Sequence, residues 1–197
     1  MNSLNRHVTR HLKSLDIHSA VRALREFIVE ELSRLYVRTV RRRVWVEEET
    51  WDKIAVYATL YYVLKKLILM IAPITQYLAE KLYQQLRLRD DPESVHLCGW
   101  PKPDERLIDE ELEDDMEVAR ATISEAISLR QKHGRKLRWP VKALILSPRS
   151  SRAQKSLKKL SEFIKSQGNA LELKILEVGE KPEDIKLIAK PVYQSIG

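Results

Sequence analysis

Ile17-His-Ser-Ala-Val21-Arg-Ala-Leu24-Arg-Glu-Phe-Ile28-Val-Glu-Glu-Leu32-Ser-Arg-Leu35 is the stretch on which the fold class turns. Its apolar residues Ile17, Val21, Leu24, Ile28, Leu32 and Leu35 recur at steps of three and four, which is one stripe of an amphipathic helix. Asp16 stands just ahead as a candidate N-cap, and the pattern predicts a helix running to about Val44. Upstream, Met1 to Leu15 reads as a short helix. Downstream, an acidic turn (Glu47, Glu48, Glu49) leads to Thr50, which can cap a third helix from Trp51 to Ala72. That segment is apolar on several faces (Ile54, Tyr57, Ala58, Tyr61, Leu64, Leu67, Ile68, Ile71), so a place in the middle of a bundle is expected. Pro73 breaks the pattern and suits the first turn of a fourth helix, Ile74 to Leu86. Leu88 to Pro103 holds Pro92, Gly99, Pro101 and Pro103 and reads as a connecting loop. Asp104 is expected to open a fifth helix with the stripe Ile108, Leu112, Met116, Ala119, Ile123 and Ile127.

After Gly134 the period changes. Val141 to Leu146 is a short apolar run between Pro140 and Pro148 and reads as a strand. Ser150 to Gln167 comes next as a helix, with Leu157, Leu160 and Ile164 inward and Gly168 in the C-cap role. Leu171, Leu173 and Ile175 alternate with Glu172 and Lys174 as a second strand, and Ile185 to Ala189 is a candidate third. The expected fold class is mainly α: an antiparallel bundle of about five helices over residues 1–139, followed by a small α/β appendage over 140–197.

Composition narrows the function classes. The chain has 197 residues, 44% of them hydrophobic and 32% charged, so there is material for a core and the surface is unusually ionic. Between Asp104 and Glu117 nine acidic residues stand against one basic one, Arg106. That local charge of −8 in a chain of net charge +7 leaves +15 on the remainder. Such asymmetry makes the chain a candidate for binding a polyanion; a thermophilic surface rich in ion pairs is the other reading. The acidic cluster itself reads as a solvated helix start, favoured by the helix dipole. A single cysteine, Cys98, excludes an internal disulfide and a cysteine-based zinc site, and a reducing cytoplasm fits. The apolar run around Leu67 to Ile74 is too short to span a bilayer, so no membrane partner is expected. His7 and His11 are four apart without the glutamate of a zinc-protease helix, and no glycine-rich loop that would hold nucleotide phosphates occurs. No catalytic residues and no metal ligands are therefore assigned.

Two basic segments carry the expected binding chemistry. In Arg34-Leu-Tyr-Val-Arg38-Thr-Val-Arg41-Arg42-Arg43-Val-Trp45, three arginines are spaced by four, with Arg41 beside the row and Arg43 and Trp45 at its end. Guanidinium groups pair bidentately with phosphates and stack on bases, so such a row could follow a phosphate backbone. A solvated face paired with Glu30 and Glu31 accounts for the same pattern equally well. The second segment, Arg130-Gln-Lys132-His-Gly-Arg135-Lys-Leu-Arg138-Trp139-Pro140, puts basic residues beside an aromatic at a helix-to-strand junction. For it, Arg130, Lys132, Arg135 and Arg138 are the weaker candidates for RNA contact, while Trp139 is expected to pack between bundle and appendage.

These segments resemble one family. Leu32-Ser-Arg-Leu-Tyr-Val-Arg-Thr-Val-Arg-Arg-Arg-Val-Trp45 is similar to an anticodon-domain helix of archaeal-type isoleucyl-tRNA synthetases. Tyr57-Ala-Thr-Leu-Tyr-Tyr-Val-Leu64, Ile71-Ala-Pro-Ile-Thr75 and Leu78-Ala-Glu80 resemble its next two helices. Ser94-Val-His-Leu97 with Trp100-Pro101 resembles the loop after them, Leu129 to Val141 the next junction, and Lys190-Pro-Val-Tyr193 a run further on. His133, Arg135 and Val192 depart from the residues usual there. The resemblance implies a tRNA-binding, anticodon-recognition region of an enzyme that ligates isoleucine to its tRNA. It implies ATP and magnesium only in a catalytic domain missing from this chain, whose His-Ile-Gly-His and Lys-Met-Ser-Lys-Ser motifs do not occur here. The implied partners are isoleucine tRNA and the catalytic and editing domains of the same polypeptide, with a cytoplasmic, monomeric protein expected. Arg34, Arg38, Arg41, Arg42 and Arg43 would hold the tRNA backbone, and unpaired bases would be read by stacking and edge contacts. The alternatives are the corresponding region of a valyl- or leucyl-type relative, or a basic helical scaffold for an acidic protein.

Overall fold

The computed structural model describes residues 1–45 and 47–180, with only the backbone of Arg42. The candidate third strand, Ile185 to Ala189, and the run Lys190 to Tyr193 lie outside the described residues. The chain divides into two compact units, Met1–Ile108 and Asp109–Gly197.

In the first unit, α1 (Asn2–Lys13) turns through Leu15, an exposed residue at φ 61°, into α2 (Ile17–Glu26). Asp16 caps α2 as expected: its carboxylate accepts from the Ser19 N–H at 3.1 Å. That bond, with His11 nearby, holds the Asp16 carboxyl below the usual carboxylate range. The helix then widens. From Phe27 to Val37 it is π-helical, and it tightens again in α3 (Arg38–Val44). Eleven residues is long for a geometry that is mostly met as a single turn.

The inward face of this long helix differs from the expected stripe. Ala20, Leu24 and Leu32 are buried with Leu4, Val8, Leu67 and Met70, and Phe27 and Tyr36 pack at their edge. Ile17, Val21 and Ile28 are exposed instead. Small Ala20 lets α1 approach α2 closely, so the contact is centred beside the bulkier stripe rather than on it, and the wide turn re-aims the residues beyond Phe27.

The next helix, α4 (Trp51–Ile71), begins at Thr50, whose hydroxyl accepts from the Lys53 N–H. By length and composition alone α4 is apolar enough to cross a membrane. Packing accounts for part of that character. Leu67 and Met70 enter the first core, and Ile68 enters a second with Ala72, Ala79, Tyr83 and Val95. Toward its N-terminus α4 buries Val56 but leaves Trp51, Ile54, Tyr57 and Tyr62 exposed, contrary to the expectation of a place in the middle of the bundle for the whole helix.

After Pro73 the chain enters α5 (Gln76–Leu86), and the proline-rich loop folds back on α4 and α5. Lys65 Nζ reaches both carboxylate oxygens of Asp91 at 2.6 Å and the Tyr61 hydroxyl at 3.1 Å. Burial disfavours this ammonium, but its partners outweigh that and raise its pKa. Tyr83 donates to the Pro92 carbonyl at 2.9 Å and accepts from the Cys98 thiol; burial first, then the thiol, pushes its phenol up to about 12. Glu80 accepts from the Ser94 hydroxyl and the Val95 N–H.

Asp104 does not open the fifth helix. It caps a 3-10 turn, Glu105–Leu107, and α6 (Glu110–Lys132) starts behind its own cap, Asp109, whose carboxylate accepts from the Leu112 N–H at 2.9 Å. Two acceptable caps five residues apart compete, and the periodic apolar positions continue smoothly across both. In consequence α6 belongs to the second compact unit, and the boundary falls at 108/109 rather than at 139/140.

In that unit β1 (Val141–Leu146) pairs in parallel with β2 (Ala170–Ile175), Val141 opposite Ala170 and Leu146 opposite Ile175. Parallel neighbours need a crossover, supplied by α7 (Ser151–Lys159) and α8 (Ser161–Gly168). The break at Leu160 divides what the pattern reads as one helix. Ala119 and Ile123 of α6 meet Leu157 and Ile164, with Leu144, Leu146, Leu173 and Ile175 of the sheet against them. Buried Asp115 ties α6 to α7: it accepts from the Ser156 hydroxyl at 2.6 Å and pairs with Lys159 at 2.7 Å. Lys159 and then Ser156 hold its carboxyl below the usual range.

Gly168 is not the left-handed cap. It lies within α8, where an added Cβ would stand 3.3 Å from a Leu144 methyl, and Asn169 takes the left-handed position at φ 48°. Asn169 also donates from its side chain to the Leu137 carbonyl at 2.8 Å. Asn169→Ala is therefore expected to cost about 1–2 kcal/mol, from αL strain and a lost hydrogen bond together. Asn169→Gly should cost less, because it relieves the strain. Thermal melts of both variants check this; equal losses would discount the backbone contribution.

Candidate nucleic-acid interface

The arginines of the π-helical stretch and α3 form two groups by what they touch. Arg34 is paired with Glu30 four residues back, at 2.6 Å, as a solvated helix face would have it. Arg43 makes a two-pronged bond with Asp52 at the start of α4, its Nε donating at 2.6 Å. Hydrogen bonding with Asp52 raises the pKa of Arg43 and lowers that of Asp52. The charge of these two side chains is already met within the protein. Both pairs are exposed, where ion pairs contribute little to stability, so a stronger anion could displace the acid.

Arg38 is exposed and has no ion-pair partner among the described residues. Arg41 lies over the Trp45 ring, 5.5 Å from its centre, a cation–π contact on a ring that is 78% exposed. The side chain of Arg42 is not among those described. Arg38 and the Arg41–Trp45 pair thus present a free cation and a cation-backed aromatic face from one short helix. The first can take a phosphate, and the second can stack a base.

The second basic segment begins at the end of α6. Gly134, at φ 66°, lets the Arg135 N–H return to the Arg130 carbonyl at 2.8 Å and the Gly134 N–H to that of Gln131 at 3.0 Å. This is a Schellman closure, which glycine makes without strain. Arg130, proposed from sequence as an RNA contact, is turned inward and only 5% exposed. Its guanidinium donates to the carbonyls of Gly168 at 3.2 Å, Lys136 at 3.0 Å, Leu137 at 3.3 Å and Trp139. Burial depresses its pKa, and its Nε has no hydrogen-bond partner among the described residues. Its work is to gather the carbonyls of the adjoining loop, and it is not placed to touch a phosphate. Lys132, Arg135 and Arg138 are exposed on that loop and the helix end, apart from the partial cover that Arg138 shares with its neighbour. Trp139, which the sequence assigns to packing, is 63% exposed, with the Arg138 guanidinium 5.9 Å from its ring centre. Inward Arg130 and outward Trp139 exchange the roles that the sequence suggests for them.

Sequence reasoning passes over a third basic face. On α1, Arg6, Thr9, Arg10, Lys13 and Ser14 line a shallow hollow of about 470 Å³. The signal is legible, since three cations at steps of four and three share one side of a helix that contains no acidic residue. Among the described residues, no group of three or more histidine, cysteine, aspartate or glutamate side chains is placed to hold a metal ion.

The sequence model of a family described as "Anticodon-binding domain of tRNA ligase" matches residues 1–145. The isoleucine–tRNA ligase of Methanothrix thermoacetophila is 43% identical over 198 residues, an alignment that takes in 98% of this chain and 19% of that protein. Those of Methanopyrus kandleri and Pyrococcus abyssi are 41% and 40% identical, over all of this chain and 18% of each relative. The chain spans about a fifth of the length of the curated relatives it matches.

Proposed function

Since the chain belongs to the family of anticodon-binding domains of tRNA ligases, we propose that it binds tRNA and serves as the anticodon-recognition region of an isoleucine–tRNA ligase. The observation that carries this reading on the molecule itself is the α3 surface: Arg38, without an ion-pair partner among the described residues, and, at the end of the helix, Trp45 backed by Arg41. Phosphate contacts from Arg38 and Arg42 set the register, and exposed aromatic faces take unpaired bases of the anticodon loop. Isoleucine specificity is supported by the identity to archaeal isoleucine–tRNA ligases along the chain's full length. In this proposal activation of isoleucine with ATP and magnesium, and its transfer to tRNA, belong to other parts of the polypeptide. This chain contributes recognition, in the cytoplasm.

The test is direct binding of the 197-residue chain to isoleucine tRNA and to the same tRNA with an exchanged anticodon, at moderate salt. The cognate is expected to bind on the order of tenfold tighter or more, as loss of one or two base contacts would give. Equal affinities would remove anticodon reading. Arg38→Ala with Arg42→Ala should weaken both tRNAs and flatten the salt dependence by about one unit of slope per lost phosphate contact. An unchanged slope would return these arginines to a solvated face.

A further inference from the structure

The α1 hollow lies on a helix whose charge is all of one sign. The helix NSLNRHVTRHLK carries Arg6, Arg10 and Lys13 and no carboxylate. Arg10 and Lys13 are exposed and have no ion-pair partner among the described residues. Arg6 is 3.5 Å from Glu105, a long contact at the surface. Asp16, which caps the following helix, is already engaged by the Ser19 N–H and by His11 at 3.3 Å. Positive charge is left uncompensated on Arg10 and Lys13, whereas Arg34 and Arg43 have theirs neutralised within the protein.

The hollow also has an ordered aromatic at its side. Trp100 Nε1 donates to the Thr9 hydroxyl at 2.9 Å, and Thr9 in turn donates to Asn5 Oδ1 at 3.1 Å. Asn5 is fully buried and donates from Nδ2 to the Pro101 carbonyl at 2.9 Å. This chain of bonds fixes the Trp-Pro loop against α1 and leaves Trp100 36% exposed. The Thr9 hydroxyl proton is committed to Asn5 and the Ser14 hydroxyl donates to the His11 carbonyl at 3.0 Å, so neither is left to donate to an anion. The donors left to meet a ligand in the hollow are therefore its cations, with the partly exposed Trp100 held beside Thr9. Arg10 and Lys13 can each take a phosphate oxygen, and cations one helical turn apart match a repeating anion better than a single one.

We infer that the face of α1 formed by Arg6, Arg10 and Lys13, with Trp100 beside it, is a second RNA-backbone site that holds a phosphodiester segment of the tRNA away from α3. This site rests on the tRNA reading above and adds to it a sequence-independent anchor. Part of the salt dependence of binding then belongs to α1 and is the same for any tRNA.

The test compares the 197-residue chain with Arg10→Ala/Lys13→Ala. Both side chains are exposed and the buried face of α1 (Leu4, Asn5, Val8) is untouched, so the thermal melt should be unchanged. Binding of isoleucine tRNA at about 0.1 M salt is expected to weaken on the order of tenfold, with the salt slope lower by about two. The cognate-to-exchanged ratio should stay the same. Arg10→Lys/Lys13→Arg should keep the slope. Wild-type binding with an unchanged slope in the alanine variant would overturn the α1 site and leave the tRNA reading standing. No binding of tRNA by the wild-type chain would overturn both. A third arm titrates inorganic phosphate: saturable binding lost in the alanine variant while tRNA affinity holds would assign the hollow to a free anion and overturn the RNA site.

Discussion

Arg130→Met should destabilise the unit that begins at Asp109 by roughly 3 kcal/mol, a large share of what a unit of this size possesses. Methionine keeps an unbranched apolar stem, shorter than that of arginine, and donates nothing. The carbonyls of Lys136, Leu137, Trp139 and Gly168 would lose their shared partner. A buried acceptor left unsatisfied costs about 1–3 kcal/mol, and a carbonyl that can turn to water costs less. Three of the four belong to the loop and can rehydrate, whereas Gly168 ends α8 next to β1 and cannot turn away easily. The wild type already bears a cost here, since burial disfavours the guanidinium and its Nε is unpartnered among the described residues; that moderates the loss. Arg130→Lys should fall between, because one ammonium cannot span carbonyls on two segments. Urea unfolding followed by far-ultraviolet circular dichroism measures the change. A loss below about 0.5 kcal/mol, the size of an ordinary surface substitution, would mean that the loop carbonyls are served by water and that Arg130 organises nothing.

Met70→Ala should cost the first unit about 2–5 kcal/mol, the range for truncating a fully buried large side chain. Met70 has no exposed surface and sits among Leu4, Val8, Ala20, Leu24, Leu32 and Leu67. Its neighbours come from α1, α2, the π-helical stretch and α4, so they cannot all close on the void at once. The informative comparison is with Ile17→Ala and Ile54→Ala. Both isoleucines fall on stripes that periodicity marks as inward, yet both are about half exposed, and surface substitutions of this kind stay within about 0.5 kcal/mol. Thermal or denaturant unfolding of the three variants separates the observed core from the one that spacing suggests. Similar losses at Met70 and Ile17 would contradict the packing described.

Why spacing succeeds in one place and misses in another comes down to what it measures. It finds helices and strands well: α1, α4, α5, β1 and β2 lie close to where period and punctuation put them, because proline, glycine and capping side chains act locally. It says less about which side of a helix is covered, since that depends on the neighbour. Ala20 is too small to mark a stripe, yet its smallness is what admits α1, and no local signal announces the widening at Phe27. The binding surface is legible as charge and not as availability. Arg34, Arg38 and Arg43 look alike in sequence, but Glu30 and Asp52 occupy two of them. Arg130 looks like its neighbours Lys132 and Arg135, and only the carbonyls converging on it from two segments reveal its inward role. Trp139 reads as a packing residue because buried tryptophans are common, but its neighbour in sequence, Arg138, offers its ring a partner at the surface.

The break at 108/109 has a practical side for anyone who wishes to shorten or transplant this domain. Each of the three apolar clusters lies wholly on one side of it. A truncation after residue 139, where composition invites the scissors, would retain α6 while discarding Leu157, Ile164 and the strands that cover Ala119 and Ile123. The product would carry a sticky ridge and invite aggregation during expression. Trimming after Ile108 instead severs no cluster, and it would yield a smaller piece that still bears α1 and α3, the two basic surfaces of the first unit, for grafting or for crystallisation with RNA.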